Sequence, residues 1–154
     1  MKSEPSTFSL ADLKASPEGT ACWDGVRNYQ ARNILRDRIN RGDGVLFYHS
    51  NIKQPAIVGI VRVVRGGYPD HTAQNPQSDH YDPRATPEKP IWYMVDVQFV
   101  LEFDEPVTRE ALKADSTFSA MELLRKGSRL SVQPVRTREW QGVLRFAGVK
   151  DPLR

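Results

Sequence analysis

Within the eleven positions from Trp23 to Asn33 (WDGVRNYQARN), the chain gathers an indole, a phenol, three amides and two guanidiniums beside a glycine. Flat apolar rings set among convergent donors and acceptors are how proteins hold a planar polar ligand such as a nucleobase. The same residues also read as a loop whose Trp23 anchors the core, followed by a helix with Asn28 at its N-cap. Arg32 and Arg36 lie four apart on one helical flank, with Arg27 before them. Such a row is either a solvated face or a set of phosphate contacts.

Other chemistry finds little support. There is no GxGxxG or GxxxxGK[ST] loop, no HExxH and no paired-cysteine spacing. His71 and His80 fall in a polar stretch with Asp70, Asp79 and Asp82, but their spacing matches no metal-ligand arrangement. The single Cys22 reads as packing and excludes an internal disulfide. Ser50 and His49 are neighbours on an expected strand, whose side chains alternate, so they do not make a nucleophile–base pair. No cofactor and no metal are expected.

The elements that would position these groups follow from the patterning. Ser9 to Lys14 opens a short capped helix that Pro17 and Gly19 end. Ala31, Ile34, Leu35 and Ile39 form the buried stripe of a helix running from Asn28 or Tyr29 to about Asn40. Val45 to Ser50 is a strand with Val45, Phe47 and His49 on one face and Leu46, Tyr48 and Ser50 on the other. Ala56 to Arg65 is a second strand, with Gly59 marking a bulge or a close backbone approach. Gly66 to Pro90, with five prolines, reads as a long functional loop. Trp92 to Phe103 is a third strand, with Tyr93, Val95, Val97, Phe99 and Leu101 on one alternation. A helical section begins at Pro106, Leu130 to Val135 is a short last strand, and Thr137 caps a closing helix carrying Trp140, Val143, Leu144 and Ala147. Few, mostly hairpin-connected strands with helices between them imply an α+β domain on a small, mostly antiparallel barrel.

The 154 residues, 39% hydrophobic and 27% charged, suit one soluble globular domain. A net charge of +3 permits nucleic-acid binding without demanding it. No apolar run approaches the roughly 20 residues of a membrane span, and no basic-then-apolar signal opens the chain. No membrane partner is expected, and the lone cysteine fits a cytoplasmic location.

Six segments together resemble the EVE domain of the PUA-like superfamily, in its stand-alone form. They are Lys2-Ser3-Glu4-Pro5, Trp23 to Asn33, Phe47-Tyr48-His49-Ser50-Asn51, Tyr68-Pro69-Asp70, Tyr81-Asp82 and Arg129-Leu130-Ser131-Val132-Gln133-Pro134. The resemblance implies a PUA-like pseudo-barrel of mostly antiparallel strands with surrounding helices. It also implies a non-catalytic reader that flips a modified base into an aromatic-lined pocket. The implied partner is DNA carrying a 5-modified cytosine such as 5-methylcytosine, or RNA carrying a modified base. Carried over by position, the nucleobase pocket draws on Lys2, Ser3, Glu4, Trp23, Asn28, Tyr48, His49, Ser50, Asn51, Arg129, Leu130 and Ser131. Trp23 or Tyr48 would stack the base, and Asn28, Ser50, Asn51 and Ser131 would read its edge. Arg27, Arg32 and Arg36, joined by Arg129, would meet phosphates. Members of the family carry apolar residues before the KSEP segment, where this chain has Met1, so a shortened first strand is expected.

Two alternatives stand beside the reader. One is an enzyme acting on a nucleobase or nucleic acid, of glycosylase or nuclease type, with Glu4, Asp24 or Asp70 as acid and His49 as base. The other is a small-molecule or protein-interaction domain. Nothing in the residues marks a 2′-hydroxyl contact, so DNA and RNA are not distinguished.

Overall fold

A computed structural model describes the whole chain, residues 1–154. Nine regular elements organise it: β1 (Lys2–Ser3), α1 (Leu10–Ala15), β2 (Thr20–Cys22), α2 (Tyr29–Asp37), β3 (Gly44–His49), β4 (Ala56–Pro69), β5 (Tyr93–Thr108), α3 (Arg109–Lys113) and α4 (Thr137–Ala147). The strands form one sheet in the order β1-β3-β4-β5-β2. Only the β1–β3 pair is parallel; the other three are antiparallel.

The long β4–β5 hairpin slips register four times and β3–β4 once. Each such bulge adds an unpaired residue and sharpens the local twist, so the sheet curls. Gly59 sits at one of them, where an added Cβ would strike the Leu101 carbonyl and come 2.6 Å from Leu10. The inner face of the curl buries Phe47, Val61, Val63, Val95 and Val97 against Leu10 and Leu13 of α1 and Ala31 and Leu35 of α2. Ala21 of β2 and Met1, beside β1, pack on the same cluster from opposite sheet edges. This is the expected α+β pseudo-barrel of PUA-like form.

The outer face carries a second core. Leu46, Tyr48, Ile57, Ile60, Phe103 and Val107 pack against Leu112, Phe118, Met121, Leu123, Val143 and Leu144. Alternation along β3 thus divides its side chains as expected. Along β5 it does not persist, because Val61 pairs with Phe99 and Ile60 with Leu101. Val100 is the extra residue, so Phe99 joins the first core and Leu101 the second.

Several boundaries differ from the expectations. β4 runs through Gly66 and Gly67 to Pro69, since Tyr68 and Pro69 still pair with Met94 and Tyr93. β5 extends to Thr108, so Pro106 and Val107 are strand and the helix starts at Arg109. α2 stops at Asp37 rather than near Asn40. Strand β2 gave no signal, being three residues that earn their place only by pairing with β5. Leu130 to Val135 is not a strand; a single bond, from the Lys2 N–H to the Ser131 carbonyl at 2.9 Å, docks it against β1. At α4 the N-cap is Arg136, whose N–H donates to the Glu139 carboxylate at 2.8 Å, and not Thr137. The stretch from 70 to 92 folds on itself: Ala73, Ala85 and Trp92 make a third small core, and the Trp92 indole donates to Asp82.

Candidate nucleic-acid interface

The turn after β2 leads from Trp23 into α2 and is bolted to the long loop by a buried carboxylate. Asp70 has no exposed surface. Its oxygens accept from the Gly25 N–H at 2.9 Å, Arg27 Nη1 at 3.0 Å, and the Thr72 N–H and hydroxyl. Burial pushes this carboxyl upward, but the bonds from Thr72, Gly25 and Arg27 outweigh it and hold it below the usual range. Gly25 takes φ +75°, and the His80 ring stands where its Cβ would be. Glycine there permits both the turn and the contact.

The expected phosphate arginines are largely engaged inside the fold. All five N–H groups of Arg27 have acceptors: the carbonyls of Val26 and His80 (the latter twice), Asp70 and Thr72. That geometry makes Arg27 the latch between turn and loop, a correction to its expected phosphate role. Arg32 donates to Asn33 and to the Ile91 carbonyl, and lies 5.0 Å over the Tyr29 ring, leaving Nη2 free. Tyr29 in turn stacks on Trp92 at 4.9 Å while staying half exposed. Arg36 forks onto Asp37 through Nε and Nη2, so its charge is locally neutralised. Arg129 is exposed and makes no hydrogen bond or ion pair within the chain.

Three polar groups on the turn have no acceptor or donor in the chain. Trp92 and Trp140 donate their indole N–H groups to Asp82 and Asp151, whereas that of Trp23 meets none. Trp23 is only 8% exposed, yet no buried polar side-chain atom lacks a partner, so this N–H reaches the surface. The ring itself belongs to the first core, edge-on to Phe47. Asn28 is the N-cap of α2: its Oδ1 accepts from the Ala31 N–H at 3.0 Å and its amide NH2 stays unpaired. The half-buried Asp24 carboxylate has no hydrogen-bond or ion-pair partner.

The ends of β1 and β3 divide the remaining expected residues between the two faces. Ser3 pairs with His49 and Lys2 with Tyr48. On the inner side, the Ser3 hydroxyl donates to the Phe8 carbonyl, and His49 Nε2 accepts from the Leu10 N–H at 3.1 Å. Burial lowers the His49 pKa, opposed by the charge of Glu102. With Nε2 engaged, this imidazole is no free general base, and Asp70 is no free acid; both enzyme assignments are corrected accordingly. Tyr48 lies in the outer core and therefore does not sandwich a base with Trp23. Lys2 follows Tyr48 to that outer side. Ser50 bonds back to the Ser3 carbonyl, Asn51 takes the left-handed conformation at φ 57°, and Glu4 is exposed. Leu130 packs on the first core beside Ser131.

No three His, Cys, Asp or Glu side chains converge as a metal site, and no helix is long and apolar enough to cross a membrane. A cleft of about 500 Å3 opens between Ile39, Val45, Leu46, Val132, Trp140 and Leu153. A second, of about 550 Å3, runs along Phe99 to Asp104. None of the expected nucleobase or phosphate residues lines either. Two relationships were not legible in the sequence: His80 against Gly25, and Arg109 near enough for its charge to act on Lys2 and Tyr48. The first left a trace in the glycine it requires; the second left none, because a register across four strands creates it.

The family model described as EVE domain matches residues 1–146. Thymocyte nuclear protein 1 of Mus musculus is 45% identical over 161 residues, covering 94% of this chain and 70% of its own. A crystal structure of a Pseudomonas syringae protein superposes with a TM-score of 0.90 at 46% identity, over 96% of this chain and 97% of that one. The crystal structure of human THYN1 protein in complex with 5-methylcytosine containing DNA is similar as well. Its TM-score is 0.89 at 40% identity, over 98% of this chain and 97% of that one.

Proposed function

The chain belongs to the EVE domain family, and on that premise we propose that it reads a 5-modified cytosine in DNA, by binding alone and without chemistry. The observation that carries this reading is the human relative with 5-methylcytosine DNA, alike over almost the whole of this chain. The turn at Trp23 offers chemistry that matches the base. Cytosine presents an amino donor beside two acceptors along its pairing edge. The Asp24 carboxylate accepts the amino proton, while the free Trp23 N–H and the Asn28 amide donate to the acceptors. Ser3, Glu4, His49, Ser50, Asn51, Arg129, Leu130 and Ser131 form the neighbouring wall, and His80 closes over Gly25.

A base in a duplex cannot be reached on all sides, so the reader flips it out, at a cost of a few kcal/mol. A 5-methyl group adds about 1–3 kcal/mol only where the pocket surrounds it. The test is a titration with short DNA and RNA oligonucleotides carrying cytosine or 5-methylcytosine at one position, at two salt concentrations, followed by analysis of the recovered strands. Tighter binding of methylated DNA, with a ratio unchanged by salt and strands intact, is expected. Equal binding of all four removes the reading, and strand or base loss replaces it with an enzyme.

A further inference from the structure

One cluster on the outer face is built of groups that the turn at Trp23 does not use. Ser3, His49, Ala56 and Thr108 form one row across β1, β3, β4 and β5, and Lys2, Tyr48, Ile57 and Val107 form the next. Arg109 follows Thr108 directly, its N–H bonded to the Pro55 carbonyl at 2.8 Å. At this corner the Lys2 ammonium, the Tyr48 hydroxyl and the Arg109 guanidinium all lack a hydrogen bond or ion pair within the chain. Tyr48 is 5% exposed, so its ring is packed away while its hydroxyl must emerge, since no buried polar atom is left unpaired. Lys2 and Arg109 are half-buried.

We infer that Lys2, Tyr48 and Arg109 form an anion site that takes one phosphate of the nucleic-acid backbone. Two half-buried cations without counter-ions repel each other, and an anion between them relieves that repulsion. Burial pushes the Lys2 ammonium below the ordinary lysine range, and the charge of Arg109 adds to the effect; Glu122 acts against it. Glu122 does not neutralise the corner, because its carboxylate is forked by Arg125 and takes the Ser128 hydroxyl. Burial raises the Tyr48 hydroxyl, which stays a donor. Two charged donors and one neutral donor suit a tetrahedral oxyanion, and the charge-assisted bonds are the strong kind. Lys2 and Tyr48 thereby move from the base to the backbone. Arginines of α2 are mostly engaged elsewhere, whereas this corner sets two half-buried cationic donors beside a packed tyrosine with none of them paired.

The inference rests on the reading of the chain as a nucleic-acid binder, and its test separates the two. Duplex DNA with and without one 5-methylcytosine is titrated against the protein and its Arg109→Gln variant between roughly 50 and 200 mM salt. The variant is expected to bind both duplexes more weakly by one factor, with the slope of log K against log salt reduced by about 0.9, the value for one phosphate contact. Lys2→Gln, which leaves the packed rings untouched, is expected to behave alike and carries the test if Arg109→Gln fails to fold. An unchanged slope in folded variants overturns the site, and a collapsed methylated-to-unmethylated ratio returns it to the base pocket. Stabilisation of the protein by inorganic phosphate, lost in Arg109→Gln while the DNA slope stays put, assigns it to a free anion and overturns the backbone contact. If the unaltered protein shows no preference for methylated DNA, the base reading fails while the slope still decides this site.

Discussion

The indole of Trp23 meets the ring of Phe47 edge-on, with centroids 5.6 Å apart and planes at 89°, while its N–H finds no acceptor in the chain. One side chain therefore serves both the core and the surface. Trp23→Ala is consequently no clean binding variant, since removing a core tryptophan costs about 3–5 kcal/mol. Trp23→Phe keeps an aromatic ring against Phe47 and deletes the N–H. It should remain folded in a thermal melt and bind methylated DNA about tenfold more weakly, the equivalent of one lost hydrogen bond. Unaltered affinity in the folded variant would remove Trp23 from the base contacts.

Arg27 joins two segments that are 43 residues apart, with Asp70 wholly buried beneath it. Arg27→Ala leaves that carboxylate without its counter-charge, and breaking a buried pair costs about 3–5 kcal/mol. The expected result is a large drop in the urea midpoint, with faster amide exchange through residues 70–92. A variant as stable as the parent but weaker on DNA would restore the phosphate role that the sequence suggested.

His49 and Asp70 predict how stability depends on pH. Burial holds the folded His49 below its unfolded value of about 6.5. Its neutral form is therefore favoured by folding, and stability falls as pH drops below about 6.5. Asp70 is also held low, so its contribution is present above the unfolded value of about 3.9 and is lost as pH falls through the folded one. The buried Met1 amine is lowered too, to about 5, so its neutral form is likewise favoured by folding. Urea midpoints should decline from about pH 8 downward and again below about pH 4. His49→Gln, whose side-chain oxygen can still accept from Leu10, should make the first decline shallower below about pH 6.5 and leave the second. A first decline of unchanged depth assigns it wholly to other groups.

These relationships show what the chain's local pattern carries and what it does not. Helix α1 was legible because Ser9 and Asp12 form a capping box, and the faces of β3 because its alternation is strict. The extension of β4 past Gly66 was not, since glycines and a proline mark a loop unless a partner strand holds them, as Met94 and Tyr93 do. At the site, the turn from Trp23 to Asn28 announced itself by composition. Its latch did not, because exposed and fully bonded arginines look the same in sequence until the acceptors of Arg27 are brought to it by the loop. The separation of Trp23 from Tyr48 follows because Trp23 packs beside Phe47 on the inner face, while Tyr48, the next residue along β3, turns to the outer one.

Asn28 does two jobs with two ends of one amide, and they can be separated. Its Oδ1 caps α2 through the Ala31 N–H, and its NH2 is free for a ligand. Serine caps a helix about as well as asparagine but offers no such second donor. Asn28→Ser should therefore keep the stability within about 0.5 kcal/mol of the parent, whereas Asn28→Ala should lose about 1 kcal/mol with the cap. If the amide reads the base edge, the serine and alanine variants should both lose methylated-DNA affinity by several-fold despite their unequal stabilities. Were the role confined to capping, affinity would follow stability, with the serine variant binding like the parent. Measuring denaturation and binding on the same pair of proteins decides between the two, because the cap and the contact then change independently.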